Sequence, residues 1–133
     1  MLGERVLLVD IDFVVIRDMA HLLDRPEDFV GWRPRALWGR PNRIGGGMYL
    51  LRTGSRTGVY QDFKGATSIR EARNAGFRGS DQAWISYKLG RPAVWPANSG
   101  LYSIRDLRNG KDPLGVYGML HPTMRAAMNG NAS

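Results

Sequence analysis

The chain has 133 residues, is 43% hydrophobic, 10% aromatic and 23% charged, and contains no cysteine. That balance predicts one globular domain spanning 1–133 with a buried core and excludes a disordered chain. It also excludes disulfides, thiolate metal sites and a cysteine nucleophile, as expected of a cytoplasmic protein. No apolar run approaches the roughly 20 residues that cross a bilayer, so no transmembrane segment is predicted, and Met1–Arg5 shows no signal-peptide pattern. The formal net charge is +7, but residues 1–32 hold seven acids against three arginines, whereas residues 33–133 hold sixteen basic residues against five acids. An acidic head on a basic body points to carboxylates meeting a cation and arginines meeting phosphate. A nucleic-acid-binding module is the alternative that the net charge raises, and the acidic head argues against it. Ordinary solvated surface charge accounts for the same pattern without any site.

Along the chain, Val6–Val9 is a continuous apolar run, which predicts a central strand buried on both faces of an α/β sheet. A second β-branched run, Phe13–Ile16, follows, and Asp18–Leu23 predicts a short helix headed by a capping aspartate. Pro26 marks Arg25–Asp28 as a turn, Phe29–Trp32 reads as a short strand, and two prolines and a glycine make Arg33–Arg43 a loop. Gly45–Gly47 precede a strand at Met48–Arg52. Val59–Asn74 has helical spacing with a break near Gly65–Thr67, and Ser68 with Glu71 has the spacing of a capping box. Ser80–Leu89 predicts a helix closed by Gly90 and Pro92, with Trp84 and Tyr87 read as core. Ala93–Trp95 and Gly100–Ile104 read as short strands. The segment from Asn109 is loose, and 126–133 reads as a frayed tail.

Asp10-Ile11-Asp12 closes the first strand. If the strand continues, side chains two apart share a face, and two carboxylates together resist burial unless a cation joins them. A hard divalent ion with oxygen ligands, Mn²⁺ or Mg²⁺, fits that requirement. A polar strand end entering a solvated turn is the simpler reading. Arg33, Arg35, Arg40 and Arg43 form a guanidinium-rich loop suited to phosphate, and Trp38 among them suits stacking on a sugar or base. Asp81-Gln82 heads a helix, where Ser80 or Asp81 alone would explain the pattern as a cap. His21 reads as structural. No Ser-His-Asp spacing, P-loop or Rossmann fingerprint is present.

Two enzyme families place an acid pair after such a strand. The run L-L-V-D-I-D-F-V resembles the first motif of haloacid-dehalogenase-like phosphatases, with Thr53 in the place of their second motif, but no late acidic pair occurs beyond residue 81. The fuller resemblance, over roughly Val6–Leu89, is to glycosyltransferases of the GT-A fold related to bacterial lipopolysaccharide galactosyl- and glucosyltransferases. It rests on D-I-D-F-V-V-I-R-D-M-A-H-L-L-D, on R-I-G-G-G-M-Y-L-L-R at Arg43–Arg52, and on G-S-D-Q-A-W-I-S-Y at Gly79–Tyr87. The resemblance implies an α/β, partial GT-A-like mixed sheet flanked by helices. It implies transfer of a hexose from a nucleotide diphosphate sugar to an acceptor hydroxyl, with no nucleic-acid partner. Asp10 and Asp12 would hold Mn²⁺ or Mg²⁺, His121 would complete the metal site, and Gly46, Gly47, Asp81, Gln82 and Trp38 would contact substrate. His121–Arg125 departs from the family's late histidine pattern, and Gly45–Gly47 lack its usual asparagine. Because only nine residues precede Asp10, the chain reads as an N-terminally shortened enzyme of little activity, with an uncovered sheet edge that a homodimer would cover.

Overall fold

The computed structural model describes residues 4–11, 13, 15, 17–103 and 126. The chain divides into two compact units, Met1–Ser99 and Gly100–Ser133; of the second, only Gly100–Ser103 and Ala126 are described, so the expected tail and His121 lie outside the described residues. The first unit is a mixed α/β structure. Its strands are β1 (Arg5–Val9), β2 (Phe29–Gly31), β3 (Met48–Arg52) and β4 (Ala93–Val94). Its helices are α1 (Ala20–Leu23), α2 (Gly58–Gln61), α3 (Ala66–Asn74) and α4 (Asp81–Leu89), with a 3₁₀ turn at Arg35–Leu37 inside the expected loop. Among the described residues, no helix is long and apolar enough to cross a membrane.

The four strands form one sheet in the order β1-β3-β2-β4, antiparallel except for the parallel β2–β4 pair. This corrects the expectation for Val6–Val9. Among the described residues β1 is the edge strand of this sheet, paired with β3, and Leu8 and Val9 remain 51% and 46% exposed. The interior strand is β3, where Met48 and Leu50 are 0% and 1% exposed and Val30 lies opposite Leu50 in β2. An unbroken apolar run records affinity for a core, but strand order depends on which distant segments pair, and here β3 takes the middle. The strand stops short of the acid pair. The strand ends at Val9, the Phe13 amide donates to the Asp10 carbonyl at 3.1 Å, and Ile11 in this turn is fully exposed. The same-face argument needed a continuing strand, and Asp12 itself lies outside the described residues. The described residues of Phe13–Ile16 are not in a strand, and neither are Gly100–Ser103.

Alternation along β3 places Tyr49 and Leu51 on one face, with Val6 and Leu8 of β1 and Phe29 of β2 beside them by register. The helices cover this face. Phe29, Ile44 and Leu89 are buried together, and Tyr49, Leu51, Val59, Ile85 and Val94 pack against them. Trp84 of α4 is buried as expected, and its indole N–H donates to the Val59 carbonyl at 2.7 Å, tying α4 to α2. The Tyr87 hydroxyl donates to Glu71 at 2.9 Å and ties α4 to α3. Gly90 ends α4 with φ +66°, the left-handed conformation that glycine adopts without strain. The break near Gly65 separates α2 from α3 as expected. The capping box does not form, because Ser68 lies inside α3, buried, where its hydroxyl accepts the Lys64 amide at 2.8 Å. Asp18 does act at a helix start, accepting the Ala20 amide at 2.8 Å.

Candidate functional site

The site forms where the N-terminal end of β3 meets the start of α4. Gly31 is paired with Tyr49 on the helix-covered face, and a Cβ on Gly31 would lie only 2.5 Å from Ile44 Cγ2. Glycine at 31 therefore opens the notch that Ile44 fills. The backbone continues from Ile44 through the three glycines to β3, held by the Gly45 amide donating to the Trp32 carbonyl at 2.7 Å. The Asp10 amide donates to the Gly47 carbonyl at 3.1 Å, extending the β1–β3 ladder by one step beyond Val9. That step sets the Asp10 carboxylate beside Gly47, whose absent Cβ would be 3.9 Å from Asp10 Oδ2 and 3.5 Å from the Trp32 ring.

From the other side, α4 brings Asp81 and Gln82. The Gln82 amide occupies the space over Gly46, where a Cβ would stand 2.4 Å from Gln82 Nε2. Ser80 makes no side-chain cap; its hydroxyl donates to Asp81 Oδ1 at 2.8 Å, which orients that carboxylate. Tyr49 lies between the two acidic groups electrostatically. Burial, then the negative charge of Asp81, then that of Asp10 push its phenol up to about 12, so the hydroxyl is neutral at physiological pH. Asp10 and Asp81 are exposed, whereas Gln82, Gly46, Gly47, Tyr49 and Trp32 are partly buried. The result is a partly covered set of two carboxylates, one amide, one phenol and one indole, a mixture suited to hydrogen-bonding a polyhydroxylated ligand beside an apolar surface.

Five of the residues singled out by sequence, Asp10, Gly46, Gly47, Asp81 and Gln82, thus come together from three separated segments. Trp38 is held by its own loop. It is 49% exposed, and the Arg35 guanidinium lies 4.9 Å from its ring centroid. Arg40 donates to the Ala36 carbonyl at 3.1 Å and Arg33 to the Leu37 carbonyl at 3.4 Å, so both brace the same loop. Asp12 and His121 lie outside the described residues, and among the described residues no three His, Asp or Glu side chains gather as a metal-binding group. Thr53 is remote from Asp10. Its amide donates to the Glu4 carbonyl, at the opposite end of the β1–β3 ladder from the Asp10–Gly47 bond, about 20 Å away at roughly 3.4 Å per residue.

Tyr49, Trp32 and Asn42 were not singled out by sequence. The two aromatics sit in or beside strands, where such residues ordinarily build core, and an asparagine between Pro41 and Arg43 looks like any loop residue. Asn42 is nevertheless 4% exposed, donating through Nδ2 to the Arg78 carbonyl at 2.7 Å and accepting the Arg78 amide at 2.8 Å.

The surroundings of Tyr49 yield a titration test. Asp81→Asn removes one of the charges that hold its phenol up, so its pKa should fall from about 12 toward the ordinary value near 10. Because the folded chain keeps this proton longer than the unfolded chain, stability should be flat below about pH 10 and fall as pH rises toward 12. Ring resonances of Tyr49 followed with pH in the two proteins check the first statement, and urea midpoints across that range check the second.

No protein-family model matches the chain, and searches of the curated proteins and of the solved structures found no match.

Proposed function

We propose that this chain is a metal-dependent glycosyltransferase domain of GT-A-like fold, binding a nucleotide diphosphate sugar and passing its hexose to an acceptor hydroxyl. The convergence of Asp10, Gly46–Gly47 and Asp81–Gln82 around Tyr49 and Trp32 carries this reading. The resemblance in sequence requires these three segments to share one site, although 34 positions separate Gly47 from Asp81.

The residues divide the work by their chemistry. Carboxylates at Asp10 and Asp81 accept hydrogen bonds from sugar hydroxyls, the Gln82 amide both donates and accepts, and neutral Tyr49 adds a donor. Gly46 leaves room for the Gln82 amide, and Gly47 keeps the floor low between Asp10 and Trp32, so that a sugar approaches backbone there without meeting a Cβ. Asp10, exposed and with no ion-pair partner among the described residues, fits the role of a carboxylate ligand to Mn²⁺ or Mg²⁺, with Asp12 its partner. When bound, that ion would neutralise the departing diphosphate. The distance of Thr53 from Asp10 weighs against a phosphatase, whose second motif must reach the same phosphate as the first.

Calorimetric titration with uridine, adenosine and guanosine diphosphate sugars in the presence of Mn²⁺ tests the proposal. Binding of at least one is expected, with no turnover of p-nitrophenyl phosphate. Absence of binding across the series, or phosphatase turnover that Asp10→Ala removes, would overturn it.

A further inference from the structure

Asn42 joins two parts of the proposed sugar site that the sheet does not connect. The loop carrying Gly45–Gly47 reaches β3 from one side, and the segment Arg78–Ser80 leads into α4 from the other. Asn42 makes both of its hydrogen bonds to one residue of that segment, occupying the N–H and the carbonyl of Arg78 together. Four residues on from each end of this clamp, Gly46 and Gln82 meet, with the Gln82 amide filling the space a Gly46 side chain would take. The clamped segment is restrained on its far side as well. Arg73 donates to the Gly79 carbonyl at 3.0 Å, and Gly79 has φ +104°, a backbone shape that favours glycine. A buried amide satisfied by two backbone groups has one orientation, because turning it would oppose donor to donor and acceptor to acceptor.

We propose that Asn42 is a positioning residue of this site, fixing the glycine loop against the head of α4 so that Gln82 is held over Gly46 before ligand arrives. The inference rests on the proposed sugar-binding role for its functional consequence, and on the Asn42–Arg78 pair alone for its structural part. Removing the clamp lets the two segments shift relative to each other, while Gln82 keeps its own side chain. Loss of Asn42 is therefore felt at the ligand through Gln82.

The experiment has two arms. Amide resonances of Gly46 and of the Gln82 side chain are compared in wild type, Asn42→Ala and Asn42→Asp. Both should move in Asn42→Ala. In Asn42→Asp they should move when the carboxylate is charged and return toward wild type when it is protonated, because a protonated acid both donates to the Arg78 carbonyl and accepts its amide. The wild type at each pH is the control. Unmoved Gly46 and Gln82 signals in folded Asn42→Ala would overturn the proposal. The second arm measures affinity for uridine diphosphate glucose with Mn²⁺ in Asn42→Ala, Gln82→Ala and the double variant. Asn42→Ala should weaken binding about tenfold, the scale of one hydrogen bond, and add nothing in the Gln82→Ala background. Additive losses in affinity would overturn the coupling. If the wild type binds none of this probe, the sugar-binding reading is what fails for that probe, and the resonance arm alone decides the role of Asn42.

Discussion

Leu50→Ala is expected to lower the unfolding free energy by about 2–5 kcal/mol, whereas Leu8→Ala should cost less than about 1 kcal/mol. Leu50 is 1% exposed at the middle of β3, opposite Leu7 on one side and Val30 on the other. Truncation there removes the transfer energy of the lost methyl and methylene groups and leaves a cavity bordered by two neighbouring strands, which pairing prevents from collapsing. Leu8 is 51% exposed on β1, the edge strand, so a truncated side chain leaves space that water already reaches. Urea unfolding of the two variants measures the difference. Equal losses would show β1 to be as deeply buried as its apolar sequence implies, and would refute its place at the edge.

That contrast marks where the sequence was legible. Several local signals read correctly where a few adjacent residues decide the outcome, although the Ser68–Glu71 capping box does not form. Gly90 ended α4, Asp18 met the first amide of α1, and Gly65 divided α2 from α3. The strands at 29–31 and 48–52 were likewise visible from their apolar and aromatic content. Strand order was not visible, because Val6–Val9 is equally apolar at an edge or in a centre, and pairing is decided by residues 39 to 45 positions away. The turn after Val9 was one of two readings that the residues left open. The apolar run resumes at Phe13, and only the Phe13–Asp10 bond reveals that the backbone has left the extended state.

The candidate site was legible in its charged and glycine positions and illegible in its supports. Asp10 stood out as a carboxylate at a strand end, and Gly46, Gly47, Asp81 and Gln82 stood out only through the segments that resemble GT-A motifs. Tyr49 did not stand out, since its phenol acquires a site-like character from burial first and then from Asp81 and Asp10, all of which the fold supplies. Asn42 was equally silent. Its two hydrogen bonds span 36 positions, and loop asparagines are ordinarily solvated.

Asp81→Asn and Asp10→Ala are each expected to weaken binding of a recognised nucleotide sugar by about 10- to 100-fold, the loss typical of a hydrogen bond to a charged group. Their effects on folding should be small, and this separates a ligand role from a structural one. Asp81 is exposed at the first turn of α4 and accepts the Ser80 hydroxyl at 2.8 Å. Asparagine keeps an oxygen to accept that bond, and the charge it gives up at a helix start is worth about 0.3–1 kcal/mol. Asp10 is exposed too, and what joins it to the sheet is its backbone amide, which alanine retains. Neither substitution opens a cavity or strands a buried polar group, so melting temperatures should stay within a few degrees of wild type. Calorimetric affinity and thermal unfolding, measured on the same preparations with Mn²⁺ present, decide the matter. A collapse in melting temperature with unchanged affinity would make Asp81 a helix-stabilising residue and remove it from the site. Unchanged affinity and unchanged melting in both variants would leave the two carboxylates as surface charge, and the proposed transferase would lose the groups on which its ligand recognition depends.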